Sequence, residues 1–173
     1  IAEATHSLYL QFYIFLEDET GTEVMEALKA AASRGVFVFL HIDAYASKQL
    51  PQRCIKDMRA AGIYIKLFEP LLRSRHFYFG RRLHHKVVVA DGLYSLVGGL
   101  NICNRYNDMP DEPAWLDMAI YCEGEASFIL QNICRQMWSN KKMLPAINQE
   151  QAREHFSRMQ EQEQTLVRVR RND

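Results

Sequence analysis

Surplus charge, long apolar runs and low-complexity segments are all missing from this sequence. Its 21 Lys and Arg residues balance 21 Asp and Glu residues, and the lack of a basic surplus disfavours nucleic acid as a partner. No apolar run reaches the roughly 18 residues of a membrane-spanning helix, and no signal-peptide pattern is present. With 48% hydrophobic and 24% charged residues in a chain of 173, the composition predicts one soluble globular domain.

Cysteine is also scarce, and its spacing excludes two further classes of protein. Cys54, Cys103, Cys122 and Cys134 form no dense disulfide framework of the secreted type. Neither the cysteines nor the His, Asp and Glu residues show the spacing of metal ligands. Three of the four thiols, all but Cys103, lie in apolar periodic segments, so we expect them to be buried and unpaired. We therefore expect no metal ion and no other cofactor.

Hydrophobic periodicity predicts an α/β fold in the first 68 residues. Apolar β-branched and aromatic runs predict strands, and amphipathic stretches that end at a glycine predict helices. In chain order these are a strand over 8–15, a helix ending at Gly35, a strand over 36–42, a helix with Pro51 in its first turn and a strand over 63–68. This β-α-β-α-β order predicts a mixed, mostly parallel sheet that is sandwiched by helices.

The sequence after residue 68 departs from this alternation. The segment from Lys66 to Lys86 is rich in basic residues and contains one acid, Glu69. Such a segment attracts anions. A solvated basic loop explains the same composition about as well. A hairpin follows, with strands over 87–90 and 93–97 around the turn pair Asp91-Gly92. A strand over 115–121 and a helix that begins at Gly124 complete a unit over 1–145. Beyond it we expect a polar helix over 149–164 and the start of a strand over 166–170.

One segment concentrates the side chains that phosphoryl chemistry needs. It fits the template H-x-K-x4-D-x6-G-x-x-N, with the marked positions at His84, Lys86, Asp91, Gly98 and Asn101. An imidazole can attack phosphorus, and a fixed cation with an amide donor can hold the phosphate oxygens. The spacing is specific and indicates an enzyme that acts on a phosphodiester.

Strand parity separates the marked residues into two groups. In an extended segment His84 and Lys86 share one face, whereas His85 points to the other and is better explained as a packed histidine. Asp91 also lies opposite Lys86 and directly before Gly92, so we expect it to be a structural residue of the turn.

Three further positions complete the predicted site. Gly98 and Gly99 end the returning strand, and we expect their backbone amides to approach a phosphate, although a β-bulge explains a double glycine equally well. Asn101 offers an amide donor. A histidine that attacks phosphorus needs an acceptor on its second nitrogen, and Asp117 is the candidate, the alternative being an ordinary acid at a strand start.

The segment resembles the signature of the phospholipase D superfamily, known as the HKD motif. The likeness extends over residues 1–145 and is closest to the bacterial cardiolipin synthase branch, in the stretches Tyr13-Ile-Phe-Leu-Glu-Asp18, Ala31-Ala-Ser-Arg-Gly35-Val-Phe-Val, Val97-Gly-Gly-Leu-Asn101 and Trp115-Leu-Asp117. The resemblance implies phosphatidyl transfer through a phosphohistidine at His84. It also implies phosphate binding by Lys86 and Asn101 and orientation of the histidine by Asp117. One departure is Gly99, where many members carry serine.

The larger departure is that the sequence contains one such motif, whereas the family's active sites pair two. The resemblance therefore implies a partner for this half, either a second motif beyond residue 173 or a second copy in a homodimer. We favour a fragment of a two-motif enzyme, in which 146–173 leads into the second half. The resemblance also implies a phospholipid substrate and association with the anionic bacterial inner membrane, either peripheral or through an anchor that precedes Ile1.

Two other functions fit the same residues. The motif also occurs in phosphodiesterases that cleave nucleic acid, a function that the balanced charge disfavours. Alternatively, a lone half binds anionic lipid without catalysis.

Overall fold

A computed structural model describes residues 1–68, 82–138, 144–145 and 157. These residues form a six-stranded sheet, three α-helices and a short 3₁₀ helix. The elements are β1 (Ser7–Phe12), α1 (Glu19–Ser33), β2 (Phe37–Asp43), α2 (Gln52–Ala60), β3 (Tyr64–Phe68), β4 (Val87–Ala90), β5 (Tyr94–Gly98), the 3₁₀ helix (Asn104–Tyr106), β6 (Ala119–Glu123) and α3 (Glu125–Met137).

The sheet has the strand order β3-β2-β1-β4-β5-β6. β1, β2 and β3 are parallel and are connected through α1 and α2, whereas the pairs β1–β4, β4–β5 and β5–β6 are antiparallel. The prediction of an α/β fold with a mixed sheet is therefore confirmed. Its parallel part is confined to the first three strands, because the hairpin and β6 return without crossover helices.

Helices cover both faces of the sheet, as the alternation of side chains along the strands requires. On one face Leu8, Leu10 and their neighbours on β2 pack with α1 and α2. On the other face Tyr9, Phe39, Val87 and Val89 pack with Leu130, Cys134 and Trp138 of α3 and its C-terminus. The sandwich arrangement is thus confirmed. α3 packs on the face of β4, the strand that directly follows His84 and Lys86.

The hairpin between β4 and β5 turns through two residues with positive φ. Asp91 has φ 57° and Gly92 has φ 72°, the pair that a type I′ turn requires. The Asp91 carboxylate also accepts four hydrogen bonds from the segment before β1, from the amides of Thr5, His6 and Ser7 and from the Thr5 hydroxyl. Asp91 therefore joins the hairpin to the N-terminal segment and lies at the opposite end of β4 from His84.

Other element predictions differ in their bounds. β6 begins at Ala119 rather than at residue 115, so Asp117 precedes the strand instead of opening it. Pro51 lies one residue before α2 as its N-cap. The predicted buried thiols are confirmed, since Cys54, Cys122 and Cys134 are buried and unpaired, as is Cys103. The segment over 69–80 and the predicted strand over 166–170 lie outside the described residues, as does the predicted helix over 149–164 apart from residue 157.

Candidate active site

His84 and Lys86 converge on the ring of Tyr13, the residue that follows β1. The His84 and Tyr13 ring centroids are 5.0 Å apart, and the Lys86 Nζ lies 5.4 Å from the centroid of the same tyrosine. Both residues lie in the extended segment that enters β4, so the two side chains are on one side of the chain. His85 is directed elsewhere, with its Nδ1 2.8 Å from Gln11 Oε1. The two histidines are thus directed to different sides, as the strand parity predicts, but His85 is exposed rather than packed in the core.

Lys86 is a buried cation at the base of this group. It is 7% exposed, and its Nζ donates to the His84 carbonyl oxygen at 3.0 Å. Burial lowers the pKa of Lys86 below its ordinary value, while the negative charge of Asp117 acts in the opposite direction. A desolvated ammonium group of this kind interacts strongly with a phosphate because little water screens it.

Asn101 is fixed from both sides of its amide. Its Oδ1 accepts the backbone N–H of Ile14 at 3.0 Å, and its Nδ2 donates to the Tyr106 hydroxyl at 3.0 Å. The backbone bridge between Phe15 and Ile102 holds the same two segments together. Since an amide group has two N–H donors, these contacts leave Asn101 one hydrogen for a phosphate oxygen.

The structure changes the predicted role of Gly98 and Gly99. The Gly98 amide already donates to the Lys86 carbonyl, and the Gly99 amide donates to the Met118 carbonyl, so the two amides are not available to a phosphate. Gly98 is needed for space instead, because a Cβ there would lie 2.2 Å from the Met118 carbonyl oxygen. A Cβ at Gly99 would lie 2.0 Å from the Asp117 carboxylate. That carboxylate belongs to an exposed side chain, which can turn away from a larger residue.

Asp117 lies over Gly99 but is not bonded to His84. Its carboxylate accepts the neighbouring Met118 amide at 2.7 Å, and it acts on Lys86 through its charge. Within residues 1–68 and 82–138 no hydrogen bond holds the exposed His84 ring. The structure thus brings Asp117 to the site, and its role in orienting the histidine stays a prediction.

Two aromatic residues of the site were not predicted from the sequence. Tyr13 contacts both His84 and Lys86, and Tyr106 holds the Asn101 amide. Tyr13 could have been noticed because residues just beyond the carboxyl end of a central strand often lie at a binding site. Tyr106 had no comparable signal, since its place depends on the 3₁₀ helix after Asn101.

This arrangement can carry out nucleophilic attack on a phosphodiester. An exposed imidazole is available to attack, while a buried ammonium group and an amide can hold the phosphate oxygens and the charge that develops on them. The described residues contain no group of three or more His, Cys, Asp or Glu side chains that could hold a metal ion. No helix in the described part of the chain is both long and apolar enough to span a bilayer.

Comparisons with known proteins identify the family that this chain resembles. The family described as cardiolipin synthase, PLD-like domain, matches residues 1–138. Cardiolipin synthase 1 of Bacillus cereus is 35% identical over 144 residues, which cover 80% of this chain and 28% of that protein. This chain therefore spans less than a third of the length of that relative.

Solved structures share the fold at low sequence identity. NucT from Helicobacter pylori aligns with a TM-score of 0.60 at 19% identity, over 79% of this chain and 80% of that one. Phosphatidylserine synthase from Haemophilus influenzae aligns with a TM-score of 0.62 at 15% identity, over 90% of this chain and 39% of that one. The family match over residues 1–138 agrees with the HKD residues and with the sheet that holds them. The chain belongs to the phospholipase D superfamily, in the family described as cardiolipin synthase, PLD-like domain.

Proposed function

We propose that the protein containing this chain is a cardiolipin synthase-like phosphatidyltransferase of the phospholipase D type. A nitrogen of His84 attacks the phosphorus of a phospholipid, a P–N bond forms, and the bond to the head-group oxygen breaks. That oxygen leaves as an alcohol after it takes up a proton. An acceptor hydroxyl then forms the new P–O bond as the P–N bond breaks, its proton passes to a base, and the imidazole is released neutral.

The observation that carries the proposal is the convergence of His84 and Lys86 on Tyr13. The ring contacts both the nucleophile and the buried cation, and the next residue, Ile14, is bonded to Asn101. A preorganised cation and amide stabilise the charge that builds up on the phosphate oxygens without reorganisation during the reaction. We assign Asp117 to the orientation of His84, and its charge interaction with Lys86 supports this assignment.

We further propose that a second HKD half completes the site. An apolar band lies directly beside Asp117 and is uncovered in this chain. Its members are Trp115 (59% exposed), Leu116 (99%), Met118 (79%) and Ile120 (65%). Contiguous exposed apolar surface of this kind is typical of an interface. A half that covers the apolar band could bring a proton donor to the leaving group opposite His84, from the remainder of a longer chain or from a second copy.

A phospholipid substrate also requires the protein to work at a membrane. We propose that the protein is associated with the bacterial inner membrane and meets its anionic surface. The low solubility of the substrate supports this location, because the reacting phosphodiester lies at the lipid–water boundary.

The test is lipid turnover by the full-length protein with vesicles that contain phosphatidylglycerol. We expect cardiolipin or head-group exchange, and we expect His84→Asn to lower the rate by at least about a thousandfold because the nucleophile is lost. His85→Asn is the matched control and should stay within a few-fold of the wild type. Undiminished lipid turnover by His84→Asn contradicts the mechanism. Cleavage of single-stranded DNA without any lipid product favours a nucleic-acid phosphodiesterase instead.

A further inference from the structure

The Tyr106 hydroxyl meets the Asn101 amide at the edge of the candidate active site. Asn101 is buried, and the backbone N–H of Ile14 can only donate, so the amide oxygen must face that N–H. The amide nitrogen then faces Tyr106, whose hydroxyl oxygen accepts one of its two hydrogens at 3.0 Å. Because a carboxamide group is planar, these two bonds together determine where the remaining N–H of Asn101 points.

Tyr106 belongs to a 3₁₀ helix of three residues that is held at the start of α1. The Asn104 N–H donates to the Asp18 carboxylate at 2.7 Å, and the Asn104 side-chain oxygen accepts the Thr20 N–H at 2.9 Å. Directly after the helix, the Asn107 side chain donates to the Thr20 hydroxyl at 3.2 Å. A 3₁₀ helix has poor internal hydrogen-bond geometry, so these bonds to α1 keep the phenol at its place.

Trp115 supports the same helix from its other side. The Trp115 N–H donates to the Arg105 carbonyl oxygen at 2.9 Å, and the Arg105 guanidinium lies 4.4 Å from the Trp115 ring. The ring centroids of Trp115 and Tyr106 are 6.4 Å apart with an interplanar angle of 64°, an edge-to-face contact of the kind that aromatic pairs prefer. Trp115 lies two residues before Asp117, so this contact also joins the helix to the segment that brings the acid to the site.

We propose that Tyr106 is a positioning residue that directs the remaining N–H of Asn101 at one non-bridging oxygen of the reacting phosphodiester, and that Trp115 holds the phenol for this purpose. The proposal rests on the proposed phosphatidyl transfer. A hydrogen-bond donor stabilises the charge that develops on a phosphate oxygen only while its direction is kept. Without the hydroxyl the amide nitrogen loses its partner and the side chain can turn, so Tyr106 acts on the rate through Asn101.

The first experiment removes the hydroxyl and keeps the ring. Lipid turnover by the full-length protein is measured against the fraction of phosphatidylglycerol in the vesicles. We expect Tyr106→Phe to lower kcat about tenfold and to leave KM within about twofold, because the weakened contact is one made in the transition state. Tyr121→Phe removes a hydroxyl from the exposed strand β6 and should keep the wild-type kcat. An unchanged kcat in Tyr106→Phe overturns the proposal.

A sulfur-substituted lipid separates positioning from a general loss of structure. Phosphatidylglycerol with sulfur in place of one non-bridging oxygen exists as two diastereomers, and sulfur accepts hydrogen bonds weakly. In the wild type the diastereomer whose sulfur faces Asn101 should react more slowly than the other. We expect Tyr106→Phe to reduce this rate difference about fivefold, as Asn101→Ala does. A variant that slows both diastereomers equally has lost structure only, and that result overturns the proposal.

A double variant tests whether Tyr106 acts through Asn101. When Asn101→Ala is already present, Tyr106→Phe should lower kcat by less than about twofold, because no amide remains to be directed. A further loss of about tenfold overturns the proposal, since it gives Tyr106 an effect of its own.

The part assigned to Trp115 has a control in the same apolar band. Trp115→Leu should reduce the rate difference between the diastereomers, because the support of the phenol is lost. Leu116→Ala should preserve the difference, even where weaker docking of a second half lowers both rates. An unchanged difference in Trp115→Leu overturns the role of Trp115.

Failure of the proposed function leaves a separate test. If the wild type turns over no lipid, inorganic phosphate is added and the NMR signals of the Asn101 side-chain amide are followed. A shift of these signals in the wild type that is lost in Tyr106→Phe supports the positioning role. Equal shifts in the two proteins, or none in the wild type, overturn it.

Discussion

Lys86 carries its positive charge where water reaches little of the side chain. Burial lowers its pKa below 10.5, and Asp117 is the acid that opposes this change. The unfolded chain therefore binds more protons than the folded one between the lowered pKa and 10.5, so this residue makes stability rise with pH across that window. Transfer that depends on the ammonium group falls as pH rises through the lowered pKa.

This coupling predicts the effect of removing the carboxylate. In Asp117→Asn we expect the pKa of Lys86 to move further below its ordinary value, because the opposing charge is lost while burial remains. A pH titration of the Lys86 side-chain NMR signals measures the change. Asp111→Asn is the control, since Asp111 is an exposed turn residue that does not act on Lys86. An unchanged or higher pKa in Asp117→Asn contradicts the account.

The residues of the motif show what the sequence could and could not predict at this scale. The pairing of His84 with Lys86 followed from the alternation of a strand, a local property. The roles of Gly98 and Gly99 did not, because they depend on Met118 and Asp117, which lie about twenty residues later in the chain. Local spacing therefore identified the positions of the glycines. Their close contacts with the segment that leads into β6 could be seen only in the folded structure.

At the scale of the elements, the β4–β5 hairpin contains Asp91, the one residue marked in the motif that lies away from the site. Asp91 bonds to the segment before β1, so its loss frees three amides and one hydroxyl. We expect Asp91→Ala to lower the free energy of unfolding by about 2–4 kcal/mol, because charged hydrogen bonds are lost and alanine is strained at positive φ. Urea denaturation measures this loss.

Controls separate stability from catalysis in this hairpin. Asp91→Asn keeps one acceptor oxygen and tolerates the turn conformation, so it should lose less stability than Asp91→Ala. Asp111→Ala should lose almost none. If Asp91→Ala is as stable as the wild type but inactive, Asp91 is a catalytic residue and its assignment to the turn is wrong.

The elements before residue 68 could be predicted almost completely. Their apolar periodicities differ clearly between strand and helix, and glycines mark the ends of both helices. The start of β6 was less clear because Trp115 and Leu116 have strand-like character but lie exposed before the strand. An apolar sequence indicates burial, and the proposed second half would bury these residues.

On the scale of the whole molecule, the exposed apolar band beside Asp117 is the surface on which the proposed second half would pack. Hydroxyl-radical footprinting compares chain 1–173 with the full-length protein. We expect Met118 and Leu116 to react about fivefold more slowly in the full-length protein because the second half covers them. Tyr45, which is 43% exposed in the loop after β2, should react equally in both. Equal reactivity of Met118 contradicts the proposed interface.

Covalent catalysis by His84 is the central claim, and rapid quenching of the full-length protein with a phospholipid tests it most directly. Mass spectrometry of the quenched protein should find a phosphatidyl group on the peptide that contains His84, and an alcohol acceptor should remove it. His85→Ala should form the same adduct, and His84→Ala should form none. An adduct on a residue outside the HKD motif, or normal turnover by His84→Ala, would contradict the mechanism.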